Sequence, residues 1–144
     1  MSSLVQDIYN ASYAVSSRDF NNAGNASRKI KKTLQQIGIE QKIVRRVSIA
    51  TYEAEMNIAI HSIGGEIFVT VDEHAITILS IDKGPGIEDI ELAMTEGYST
   101  AAQEIQEMGF GAGMGLPNMK VCADKFEISS IVNEGTNIRM IFKI

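Results

Sequence analysis

Glu53, Asn57 and His61 stand at i, i+4 and i+8, a spacing that puts all of them on one side of a helix. On a helical wheel Asn57 and His61 fall within an apolar stripe, close to Ile43 and Ala50, and Glu53 lies at its edge. A carboxylate beside an amide, both pointing under a sheet, suits activation of water or a hydroxyl next to a metal. The Asn carbonyl is a neutral hard-oxygen ligand for Mg2+, and the Glu is a candidate general base. The plain alternative is a helix end that reaches solvent. It has more force for His61, next to the terminus, than for Glu53, because Ala54 and Ile58 resume the stripe beyond it.

A second group is Asp82-Lys83-Gly84-Pro85-Gly86. Asp82 ends a strand and a Gly-rich turn follows at once. Asp is a good turn opener in its own right. As a site, the carboxylate would accept a hydrogen bond from a ligand amine, with the glycines leaving room for its ring. The third group runs from Gly109 through Gly111, Gly113, Met114 and Gly115 to Leu116. Alternating glycines tolerate turns closed to other residues and let a ligand approach the backbone. They stop where Leu116 to Lys120 begin a helix, and Pro117 suits its first turn. Free N–H groups and the positive end of a helix dipole make that junction a phosphate site in physical terms, although glycine loops also serve as connectors.

The elements that must carry these groups follow from periodicity. Tyr9, Ala11, Tyr13 and Val15 alternate as a strand over 7–16, and Asp19 is expected to cap a helix carrying Ala23, Ala26, Ile30, Leu34 and Ile37. The second helix is expected over about 40–62, with Ile43, Val47, Ala50, Ala54 and Ile58 as its stripe. Strands over 66–71 and 75–82 suit a hairpin. A short helix at 87–94 precedes a long loop at 95–113 that reads as a mobile lid. A helix at 115–124 and strands near 126–132 and 136–144 close the chain. The expectation is one domain over 1–144, an α+β two-layer sandwich with helices on one face of a mixed, mostly antiparallel sheet.

Composition bounds the function. The chain has 144 residues, 44% of them apolar, and a net charge of −5, which argues against direct nucleic-acid binding. Cys122 is the only cysteine, so no internal disulfide is available and a reducing, cytoplasmic setting is expected. No signal peptide or apolar span of membrane length is visible, and the His and Cys content leaves no zinc cluster. Arg28, Lys29, Lys31, Lys32, Lys42, Arg45 and Arg46 crowd the first third, while 87–119 holds acids and no Lys or Arg. The two regions read as solvated faces of opposite sign or as a protein-docking surface.

Taken together, Glu53-x-x-x-Asn57, Asp82-x-Gly84-x-Gly86 and Gly111-x-Gly113-x-Gly115-Leu116 resemble the Bergerat-fold (GHKL-type) ATPases shared by gyrase, MutL and the sensor histidine kinases. Within them the chain is similar to the bacterial anti-sigma-factor serine/threonine kinases, closest in motif to the stress-response switch kinases. Gly97-Tyr98-Ser99-Thr100 and Gly135-Thr136 are further matching features. The resemblance implies ATP and Mg2+ as cofactors. Asn57 would coordinate Mg2+, Glu53 would position or deprotonate the attacking hydroxyl, and His61 would lie near the phosphates. Asp82 would bind the adenine amino group beside Gly84 and Gly86. Ser99 and Thr100 of the lid would lie near the phosphates, Gly111, Gly113, Met114, Gly115 and Leu116 would wrap them, and Thr136 would lie near the adenine-side water.

The implied substrate is a small STAS-domain antagonist protein, with a sigma factor as a further partner, a homodimer as an option, and no membrane. No phosphoacceptor-histidine helix is expected ahead of the ATP domain. The rival readings are a non-catalytic ATP-binding switch, favoured by the absence of an Arg in the lid, and an ATP-binding subunit of a histidine-kinase-like assembly.

Overall fold

The computed structural model describes residues 7–22, 24–95 and 115–144. Strands β1 (Asp7–Val15), β2 (Gly65–Asp72), β3 (Ala75–Asp82), β4 (Lys125–Ile131) and β5 (Gly135–Lys143) form a five-stranded sheet in the order β1-β2-β3-β5-β4. Register aligns Ala11 with Val69, Val69 with Ile78, Ile78 with Met140 and Met140 with Phe126. The apolar residues of each strand therefore share one face, as a period of two requires.

Every pairing among the described residues is antiparallel, so the parallel share that a mixed sheet implies is absent. The reason lies in the connections. Helices α1 (Asn25–Ile37) and α2 (Gln41–His61) separate β1 from β2, and two helix lengths bring the chain back to the end it left. The return through α3 (Ile90–Ala93) and α4 (Gly115–Cys122) leaves β3 and β4 pointing the same way, but β5 lies between them.

One face of the sheet carries the helices. Val44, Val47, Ala50, Ala54 and Ile58 of α2 are buried against Ile30 and Leu34 of α1, Met119 of α4 and the inner residues of the strands. Each Ile- or Leu-sized side chain so buried contributes about 1.5–3 kcal/mol. The two alanines let α2 lie close to its neighbours. Among the described residues no helix is long and apolar enough to cross a membrane.

Helix α1 starts later than Asp19 suggests. Asp19 instead accepts from Asn22 Nδ2 at 2.9 Å across a 3-10 turn, Phe20–Asn22. The helix begins after Gly24, whose φ of 88° has no side-chain cap of its own. Glu55 of α2 takes over that role: its Oε2 and Oε1 accept from the Ala26 and Ser27 N–H groups, each at 3.1 Å, and only 4% of the residue is exposed. A carboxylate at a helix N-terminus satisfies donors the helix cannot and complements its dipole.

Candidate active site

Glu53 sits half-buried on the flank of α2 that faces α4. Its Oε2 accepts from Asn118 Nδ2 at 3.2 Å, and a Cβ built on Gly115 would stand 3.8 Å from the same oxygen. The carboxylate thus looks at the first turn of α4. Buried Leu116, Pro117 and Met119 anchor that helix. Its far end is tied by Arg46, whose Nε donates to the Cys122 carbonyl at 2.9 Å and whose Nη2 reaches Asp124 at 2.9 Å. A cation on the last carbonyls suits that end of a helix dipole. Asn57 lies one turn beyond Glu53 on α2, also half-buried.

Asp82 ends β3, and its Oδ1 accepts the Thr136 N–H at 3.2 Å. Burial pushes its carboxyl above the usual value, and the Thr136 N–H pulls it the other way. The loop after Asp82 is clamped to the β4–β5 hairpin. The Ile87 N–H donates to Ser130 Oγ at 2.7 Å, the Asn133 N–H to the Pro85 carbonyl at 2.8 Å, and the Gly84 N–H to the Glu134 carbonyl at 3.3 Å. Ser130 Oγ in turn bonds Thr136 Oγ1 at 2.8 Å.

Two glycines make this approach feasible. Gly86 has a φ of 74°, and a Cβ there would lie 2.5 Å from the Ile131 carbonyl oxygen. At Gly135 a Cβ would strike the Asp82 carbonyl oxygen. Gly84 packs on the end of α2, where its Cβ would meet Ser62 Cα at 3.0 Å. The glycines expected to leave room for a ring are thus also required by the protein's own packing.

A hollow of about 210 Å³ opens beside Asp82, Ser130, Glu134 and Gly135. A larger one, about 450 Å³, lies at the other edge of the sheet between β1 and the helices, lined by Tyr13, Asp19, Lys29 and Glu55. None of the residues expected to do chemistry borders it.

His61 ends α2, and its backbone carbonyl faces Gly84. Burial, and then the positive charge of Arg18, hold its imidazole below the usual 6.5, so it is neutral at pH 7. Thr136 is buried between Asp82 and Ser130. Ser99, Thr100, Gly111, Gly113 and Met114 lie outside the described residues.

The structure brings Glu53 to the start of α4 and Asp82 to Thr136, and it adds Asn118, Ser130 and Glu55, which the sequence reading missed. Asn118 had a signal, since it stands one helical turn past Gly115. Ser130 had another, because a tight turn at 133–135 pairs it with Thr136.

Among the described residues no cluster of three His, Cys, Asp or Glu would hold an ion unaided. Mg2+ that keeps waters and takes substrate phosphates needs only one or two protein oxygens. Asn57, a neutral oxygen donor one turn from Glu53, fits that requirement.

Residues 17–142 match the family model described as histidine kinase-like ATPase domain. The chain is 30% identical over 121 residues to the serine/threonine-protein kinase RsbT of Bacillus subtilis (strain 168), covering 81% of this chain and 85% of that one. It is 35% identical over 99 residues to the anti-sigma F factor of Thermoanaerobacter sp. (strain X514), covering 65% and 66%. With the anti-sigma F factor of Clostridium novyi (strain NT) it shares 31% over 117 residues, covering 77% and 78%.

Proposed function

We propose that this chain, which belongs to the histidine kinase-like ATPase domain family and within it to the group of RsbT and the anti-sigma F factors, transfers the γ-phosphoryl group of ATP to a serine or threonine of a small regulatory protein. The observation that supports this best is the Glu53 carboxylate facing Gly115 and Asn118 at the start of α4. ATP would lie along α2, with adenine at Asp82 and the phosphates at the N-terminus of α4, where N–H groups and the helix dipole favour anions.

Asp82, oriented by the Thr136 N–H, would accept from the adenine amino group. Glu53 would take the proton of the substrate hydroxyl as its oxygen attacks the γ-phosphorus. The bond from that phosphorus to the β–γ bridging oxygen breaks, and ADP leaves with the oxygen. Asn57 would hold Mg2+, which neutralises phosphate charge in a reaction governed by positioning and electrostatics. The substrate class would be a STAS-domain antagonist, with a sigma factor as a further partner in the cytoplasm.

Purified protein with Mg2+ and γ-labelled ATP, added to a soluble extract of the source organism, tests this. The expected outcome is an acid-stable labelled band of small mass, absent with Glu53→Ala. An acid-labile band, or none, counts against it. The second reading is a nucleotide-gated binding switch, favoured by the lack of any Lys or Arg over 87–119. A switch keeps ATP-dependent control of its partner in Glu53→Ala, whereas a kinase loses phosphotransfer.

A further inference from the structure

We propose that Asn118 is a positioning residue for Glu53, an inference that rests on reading Glu53 as the base of the transfer. The Asn118 amide donates to Glu53 Oε2 at 3.2 Å, and that same oxygen is the one that faces Gly115. One carboxylate oxygen is thereby tied to α4, and Oε1 would take the substrate proton. A glutamate on a helix flank has several rotatable bonds and spreads over rotamers unless something selects one. The bond from α4 makes that selection.

The chemistry of the donor matters as much as its place. An amide donates a hydrogen bond to the carboxylate without placing a charge beside it. Asn118 is itself held firmly. It stands between Pro117 and Met119, both buried, on a helix whose other end is fixed by the Arg46 bond to the Cys122 carbonyl. Residue numbers rise along α2 from Arg46 to Glu53 as they fall along α4 from Cys122 to Asn118. The helices therefore run antiparallel, with one cross-link near each end of α4. Asn118 lies three residues past Gly115, so the turn proposed to cradle phosphate and the tie to Glu53 belong to the same rigid piece.

The test uses the full chain with Mg2+ and γ-labelled ATP, water serving as the acceptor, so that no protein substrate is needed. Turnover is measured across ATP concentrations, and affinity is measured separately with a fluorescent ATP analogue. Asn118→Asp keeps the shape and replaces the donor with a like charge, Asn118→Leu removes polarity, and Asn118→Gln restores an amide. The expected result is a kcat lowered about tenfold or more in the Asp and Leu variants, the scale of a lost hydrogen bond to a charged group. KM and analogue affinity stay within about twofold, and Gln recovers at least about threefold over Leu. Any other pattern overturns the inference: kcat kept in Leu, affinity falling in step with kcat, or Gln no better than Leu. Glu53→Gln, run beside them, separates the two levels. If it keeps turnover, the base assignment falls and this inference with it. If it loses turnover while Asn118→Leu keeps it, only this inference falls.

Discussion

Asp82 ends β3 where burial is costly for its charge, and the Thr136 N–H offsets only part of that cost. Its folded carboxyl is raised above the unfolded 3.8, so the stability it contributes is present below that value and lost as pH rises through the raised one. At neutral pH the ionised group therefore weakens the empty protein. Asp82→Asn keeps an oxygen for the Thr136 N–H and removes the charge. Calorimetry is expected to show an equal or higher melting temperature, while ATP affinity falls about tenfold or more with the lost charged acceptor. A lower melting temperature with ATP binding intact would contradict both halves of the argument. Glu53, Asn57 and Asp82 were legible as candidates because a local rule, helical spacing or a strand end, singled them out. Glu55 was not, because its partners lie 28 and 29 positions away and its value appears only when α1 and α2 pack.

At the scale of elements, periodicity located α2 and all of the strands closely, since each buries one face and keeps a strict period. The start of α1 was misread for a physical reason. Asp19 is a good cap by type, yet the cap of this helix belongs to another helix and cannot be seen locally. Glu55→Ala is expected to cost about 2–4 kcal/mol in urea unfolding, because it strips buried N–H groups of a charged acceptor. The loss should leave the span of α2 unchanged and appear as fraying of α1, read by hydrogen exchange at Ala26 and Ser27. A cost under about 0.5 kcal/mol, the range of an ordinary surface substitution, would show that the cap is not used.

For the whole molecule, the layer architecture was legible but the strand order was not. The alternation in β4 and β5 is alike, and nothing in either strand says which will sit beside β3. The order goes with the glycines at 86 and 135, which let the hairpin lie across the loop after Asp82. Stability as a function of pH is also a property of the whole chain. His61 is held neutral by burial and by Arg18, so the unfolded chain takes up a proton more readily than the folded one. Its contribution is full above 6.5 and is lost as pH falls through the lowered folded value. The melting temperature is expected to drop between about pH 7 and about pH 5, and His61→Gln to drop less steeply. Coinciding slopes would assign the acid sensitivity to other groups.

The placement of β5 between β3 and β4 also orders events during synthesis. Chains emerge from the ribosome N-terminus first. Helix α2, bearing Glu53 and Asn57, is made early, whereas residues 135–143 follow every other described element. Until they emerge, β3 has one open edge and Asp82 lacks its Thr136 partner. On the proposed reading, a nascent chain would carry Glu53 well before the Asp82 end of the site is complete, and a copy stalled short of β5 would bind ATP poorly.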